Sequence, residues 1–165
     1  AVSNAGGLGC VNSAIYPDPE QLRAAIRETK TLTAQPFAVN ISMLPEANAG
    51  DQTARYFEVC AEEGVAAIES AGRNPAEYLP ILKGTGVKLI HKVPSAKLAK
   101  KAQDIGADMV SVVGLEAGGH PGPDEVGTFV VANRAIREVS IPVIVGGGVV
   151  DGRSMAAAWA AMESQ

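Results

Sequence analysis

The chain has 165 residues, 47% apolar and 19% charged, which places it among globular proteins at the size of a single domain. A net charge of −4 and an aromatic content of 4% exclude a phosphate-backbone binder and a stacking platform for single strands, so no nucleic-acid partner is expected. Its two cysteines, Cys10 and Cys60, form no CxxC pair, which excludes a disulfide scaffold and a cysteine-based zinc site and fits a reducing compartment.

The elements follow in chain order. Residues 1–7 lack the basic stretch and apolar core of a signal peptide, and they read as the end of a helix. An apolar strand is predicted over 8–12. Asp18 and Pro19 then supply an N-cap and a first-position proline for a helix over 19–33, with Leu22, Ile26 and Thr29 on one stripe. A strand over 37–43 leads to a helix over 51–63 that Gly64 terminates. After a strand over 65–70, Asn74 and Pro75 open a helix over 75–83. A strand over 87–93 precedes a helix over 95–105, with Leu98, Ala99, Ala102 and Ile105 at helical spacing and Gly106 at its end. A strand over 109–115, a helix over 128–139, a strand over 142–147 and a helix over 152–162 capped by Asp151 complete the set.

The strands are rich in Val and Ile and apolar throughout, as strands covered on both faces are. They alternate with helices at the spacing of βα units in a parallel sheet. A doubly wound open sheet and a (βα)8 barrel both satisfy the connection rules. The polar and Gly-rich residues gather after several strands: at Asn40, at 69–72, at His91 and Lys92, at 116–120 and at 146–148. An open sheet concentrates such groups at one switch point, whereas a barrel collects them around its catalytic face. The expected fold is therefore α/β, an incomplete (βα)8 TIM barrel. The chain supplies about strands 2 to 7, as one partial domain over 1–165. No apolar run approaches the roughly 20 residues that span a bilayer, so no membrane partner and a cytoplasmic location are expected.

Several residues at these strand ends suit chemistry. Gly146, Gly147 and Gly148 follow an apolar strand and let backbone N–H groups approach a phosphate, with the N-terminus of the next helix nearby. The same glycines also serve a plain turn with positive φ. Gly118 and Gly119 leave room for a planar ring or a phosphate close to the backbone, and His120, stiffened by Pro121, suits a general acid or base near neutral pH. Lys92 is a strand-end cation suited to a phosphate or an electron-rich ring, and His91 reads as a packing or hydrogen-bonding residue. Asn40 interrupts an apolar run with an amide that both donates and accepts. Glu69 and Ser70 are weaker polar signals, and Glu116 has no second carboxylate to pair with as a base. Cys10 reads as a small core residue, and Met43 and Trp159 read as packing residues. No metal constellation, P-loop lysine or GxSxG is present.

Four segments carry a resemblance: residues 1–9, residues 36–40, Gly-Leu-Glu-Ala-Gly-Gly-His-Pro-Gly at 114–122, and 141–153. They resemble the nitronate monooxygenase family, formerly called 2-nitropropane dioxygenases. Flavin NADH:quinone reductases and flavin-type enoyl-acyl-carrier-protein reductases share its scaffold. The resemblance implies an FMN-dependent TIM barrel that oxidises alkyl nitronates with O2. Asn40 and Lys92 match flavin contacts, Gly118 and Gly119 the loop beside the ring, Gly146, Gly147 and Gly148 the phosphate turn, and His120 the catalytic base. The first-strand Pro-Met segment, the last-strand Gly-Thr-Arg-Phe-type segment and the substrate-side helical segment of that family are absent. The alternatives are a reductase that passes electrons from NAD(P)H to a quinone or enoyl thioester on the same flavin, and a truncated, non-catalytic fragment. The expected partners are small molecules, namely a nitronate, or NAD(P)H with an acceptor, together with O2, and an oligomer is compatible.

Overall fold

The structure, a computed structural model, describes residues 1–43, 52–119 and 125–162. Among these, β1 (Gly9–Asn12), β2 (Phe37–Met43), β3 (Ala67–Gly72), β4 (Lys88–Val93), β5 (Met109–Val113) and β6 (Val143–Gly146) alternate with helices. The helices are α1 (Pro19–Leu32), α2 (Thr53–Glu63), α3 (Leu79–Leu82), α4 (Ala96–Asp104), α5 (Thr128–Glu138) and α6 (Gly152–Met162). Each predicted strand, and each predicted helix except that over 75–83, has its counterpart, with ends that move by a few residues. The start of the predicted 51–63 helix, Asp51, lies outside the described residues. The chain divides into two compact units, Ala1–Ile90 and His91–Gln165.

In the first unit β1, β2 and β3 pair in parallel, and parallel neighbours need crossovers, which α1 and α2 provide. The Lys88 N–H donates to Ala66 O (3.1 Å), bringing the start of β4 beside the entry to β3. The caps act as the sequence predicts. Asp18 Oδ1 accepts from Glu20 N (2.9 Å), Asn74 Oδ1 accepts from Ala76 N (2.9 Å), and Gly64 ends α2 in the left-handed region. The stripe of α1 buries Leu22 and Ile26 completely, against a core that includes Val39, Ile41, Phe57, Val59 and Ile68. The Phe57 and Tyr78 rings stack at 4.9 Å, and burying a side chain of that size contributes about 1.5–3 kcal/mol. β2 is buried through Val39 and then alternates, with Asn40 and Ser42 half-buried between buried Ile41 and Met43. One face of the strand thus opens towards its C-terminal end.

Two expectations for this unit fail. The 75–83 helix is a 3-10 turn over Ala76–Tyr78 followed by the single turn of α3. Pro80 has no N–H to continue a helix, and it is tolerated only because the helix restarts just before it. Cys10, expected in the core, is exposed. It lies on β1, whose residues alternate half-buried and exposed, and pairs in register with Ala38 of β2.

In the second unit β5 and β6 pair in parallel from Val110↔Val143 to Val113↔Gly146. Helices α4 and α5 pack through small residues, with Ala99, Ala102, Ala132 and Ala135 buried. Small side chains let the helices approach closely, so the buried face of α4 is Ala96–Ala99–Ala102. Leu98, predicted on that face, is 38% exposed. Gln103 Oε1 accepts from Ser140 N (2.6 Å) and Ile141 N (3.3 Å), which fixes the entry to β6. Trp159 is 63% exposed and borders an open apolar groove of about 330 Å³ with Ile136, Ile141, Val143 and Met162.

Candidate functional site

The first unit contributes Asn40. Parallel register aligns Asn12, Asn40 and Glu69 in one row across β1, β2 and β3. Asn40 Nδ2 donates to Glu69 Oε2 (2.7 Å) and, at 3.4 Å, to Glu69 O. Asn12 Oδ1 is engaged by Ala14 N (3.0 Å), where it caps a short 3-10 turn. Asn40 is therefore a half-buried amide at the middle of β2, held by a carboxylate of β3.

The second unit holds the other predicted residues. Lys92 is half-buried near the end of β4, and its neighbour His91 is buried at 6% exposure, consistent with a packing or hydrogen-bonding role. The turn after β5 is organised by Glu116. Its Oε2 accepts from both the N–H and the hydroxyl of Thr128 (2.8 Å each), at the first turn of α5. The Thr128 hydroxyl, followed by the backbone N–H groups of Glu116 and Thr128, holds the Glu116 carboxyl below its ordinary range. An ionised side chain tied at a helix N-terminus serves as a cap and is unsuited to act as a proton-accepting base.

Close approach explains two glycines here. A Cβ on Gly114 would lie 2.3 Å from Thr128 N, so the chain leaving β5 passes directly against the start of α5. Gly147 has φ +112°, and a Cβ there would lie 2.5 Å from Thr128 Oγ1 and 3.0 Å from Ala117 N. Gly146 to Gly148 thus pack against the 114–117 turn, with Gly114 N donating to Gly146 O (3.2 Å). Gly118 and Gly119 differ. A Cβ on either meets nothing within 4 Å among the described residues.

Helix α6 also departs from expectation in one respect. Asp151 Oδ1 accepts from Ser154 N (2.8 Å), while Ser154 Oγ accepts from Val150 N and Asp151 N (2.9 Å each). The backbone N–H of Ser154, then its hydroxyl, lowers the Asp151 pKa. The predicted cap is present, and it places a carboxylate where the helix dipole would otherwise favour a phosphate. Sequence reasoning gives Glu69 little weight and misses Gly114 and Thr128. Gly127 before an apolar helix was the available signal for Thr128, whereas the role of Glu69 is recognisable only through its register with Asn40. His120, Pro121 and Gly122 lie outside the described residues. Among the described residues no helix is long and apolar enough to cross a membrane.

Known proteins resemble this chain over nearly its whole length. The chain is 42% identical over 158 residues to an octahydro-1H-indene-4-carboxyl-CoA dehydrogenase of Rhodococcus jostii, covering 96% of this chain and 42% of that protein. It is 29% identical to a nitronate monooxygenase of Paraburkholderia phytofirmans, covering 97% of this chain and 55% of that protein. The solved structure of FabK from Thermotoga maritima matches with a TM-score of 0.88 and 43% identity, over 97% of this chain and 49% of that one. The chain thus spans about half the length of the relatives it matches. Its fold is α/β, with six strands of an incomplete (βα)8 TIM barrel. The profile of nitronate monooxygenases matches residues 1–162, and the chain belongs to that family of flavin oxidoreductases.

Proposed function

We propose that the protein is an FMN-dependent oxidoreductase acting on an acyl thioester, with the flavin held by Asn40, Lys92, Gly118, Gly119, Gly146, Gly147 and Gly148 in a single barrel domain. The observation that carries the thioester reading is the difference in similarity. Identity is 42% to a carboxyl-CoA dehydrogenase, against 29% to a nitronate monooxygenase over the same share of this chain.

The residues present suit FMN. The 118–119 loop is open towards the described residues where a planar ring needs space, and the glycine turn at 146–148, packed against Thr128 and Glu116, follows β6 where a phosphate would meet backbone N–H groups. Asn40 offers an oriented amide, and Lys92 a strand-end cation for the anionic parts of cofactor or substrate. When bound, FMN supplies the redox chemistry, accepting and returning the electrons of the reaction. Glu116 holds the start of α5 and moves no proton. His120, by resemblance, is the group that would take a proton from the substrate carbon.

An FMN titration followed by flavin fluorescence, with circular dichroism alongside, tests the cofactor. Saturable quenching by a folded chain is expected, and its absence from the whole protein refutes the flavin assignment. Anaerobic stopped-flow then compares NAD(P)H, acyl-CoA thioesters and alkyl nitronates as redox partners of the bound flavin. Exchange with the thioester is expected to be faster. O2-dependent turnover of an alkyl nitronate with no response to thioesters would establish the second reading, a nitronate monooxygenase, which the family membership favours.

A further inference from the structure

We infer that Glu69 is a positioning residue, which fixes the Asn40 amide so that β2 presents a hydrogen-bond acceptor to the bound ring. The inference rests on the FMN reading above. Asn40 and Glu69 are direct partners in the parallel register of β2 and β3, so their side chains leave the sheet on the same face. The contact between Asn40 Nδ2 and Glu69 Oε2 is 2.7 Å, at the short end for an N–H donor and in the range of charge-assisted bonds. An ionised carboxylate only accepts, so the amide has one acceptable orientation, with Nδ2 towards Glu69 and Oδ1 away from it. On the other side of Asn40 in the row, Asn12 spends its Oδ1 on Ala14 N. Glu69 is thus the member of the row that orients Asn40.

A fixed amide is selective where a free one is not. An unconstrained asparagine accepts or donates by turning its amide over, and it discriminates little between ligand edges. Fixed by Glu69, Asn40 demands an N–H or O–H from the ligand. It also repels an anionic oxygen, through both its own Oδ1 and the adjacent carboxylate. The ligand class that fits is a neutral ring edge carrying an N–H, of the kind an isoalloxazine offers. A phosphate or carboxylate group does not fit beside this pair.

The test measures FMN dissociation constants by fluorescence quenching in the whole protein. The variants are Asn40→Ala, Glu69→Ala, the two alanines combined, Glu69→Gln, Asn40→Asp and the double exchange Asn40→Asp with Glu69→Gln, with circular dichroism to confirm folding. Asn40→Ala is expected to weaken binding about tenfold, the usual scale of one lost hydrogen bond, and Glu69→Ala about three- to tenfold. Combining the two alanines adds no further loss, as expected for groups acting as a unit. Asn40→Asp sets two carboxylates against each other and binds poorly. Adding Glu69→Gln gives the carboxylate introduced on β2 a donor partner, leaves an oxygen facing the ring, and restores binding to within about threefold of the parent. A purely structural Glu69 would not produce that rescue.

A second readout needs no ligand. The Asn40 side-chain amide resonances in a proton–nitrogen spectrum are expected to shift in Glu69→Gln, where the neutral partner permits both orientations. Parent-like FMN binding in both Glu69 variants, with loss in Asn40→Ala, overturns the positioning role and leaves the flavin reading intact. Failure of the double exchange to rescue Asn40→Asp, or unmoved amide resonances in Glu69→Gln, also overturns it. FMN binding indifferent to Asn40→Ala removes Asn40 from the site, and Glu69 with it. No FMN binding by the parent protein refutes the flavin reading and this inference together.

Discussion

Glycines 118 and 147 stand in similar company in the sequence, yet substituting each with alanine should have opposite effects. At Gly147 the backbone has φ +112°, where an L side chain is strained by about 1–2 kcal/mol. The new Cβ would also sit 2.5 Å from Thr128 Oγ1. That oxygen cannot swing aside, because Thr128 is buried and its hydroxyl donates to Glu116 Oε2 at 2.8 Å. On the other flank the Cβ meets the backbone N of Ala117 at 3.0 Å, so overpacking adds about 1–3 kcal/mol. Together these cost about 2–5 kcal/mol. At about 2–4 °C per kcal/mol for a chain of this size, Tm falls by about 5–15 °C. Gly118 lies outside the left-handed region and its Cβ would face open space, so Gly118→Ala keeps the parent Tm to within about 2 °C. Thermal melts followed by circular dichroism, with an FMN titration on each variant, separate the two roles. Gly118→Ala should fold normally and bind FMN more weakly, while Gly147→Ala loses stability first. A Gly147→Ala protein melting within about 2 °C of the parent would refute the packing argument.

Two further outcomes follow from side chains outside the site. Glu63, 9% exposed, pairs with Arg27 (2.8 Å), Arg23 (3.1 Å) and Lys30 (3.4 Å); the Arg27 guanidinium, with Arg23 and Lys30, holds its carboxyl at about 2, below the usual 4.5. A depressed folded pKa stabilises above the unfolded value and is lost as pH falls from about 4.5 to about 2, here about 1–2 kcal/mol because Arg27 and Lys30 are solvent-screened. Urea denaturation at neutral and acid pH should therefore show a smaller pH dependence in Glu63→Gln, and an unchanged dependence would remove Glu63 as its source. Burial pushes the Cys60 thiol up to about 12, while Cys10 is exposed. A thiol reagent at mildly alkaline pH should thus titrate Cys10 alone in the native chain and both cysteines after denaturation; rapid native labelling of Cys60 would show that the α2 core opens.

What the sequence discloses well is what depends on near neighbours. Asp18 before Pro19, Asn74 two residues before Ala76, Gly64 after α2 and Asp151 before Ser154 all act through contacts a few residues long, and each cap forms where expected. Exposure is different, because it depends on what covers a residue. Cys10, Leu98 and Trp159 have apolar patterns suited to burial, but β1 alternates, α4 meets α5 through alanines, and Trp159 borders an open groove. The tie from Glu116 to Thr128 spans twelve residues, and no local pattern marks it.

The glycines show where this limit bears on function. A Gly-rich strand end reports that something approaches the backbone closely, but composition does not say what. At Gly147 the approaching group is Thr128, so its lack of a Cβ is explained without any ligand. At Gly118 no atom of the described residues comes within 4 Å of a Cβ, and α6 already carries its own carboxylate cap at Asp151. The phosphate reading of the 146–148 turn therefore rests on its place after β6, and open space around its glycines lends it nothing. The ring reading of the 118–119 loop rests on its open space. A ligand that fills the space at Gly118 while leaving the packing at Gly147 untouched accounts for both glycines.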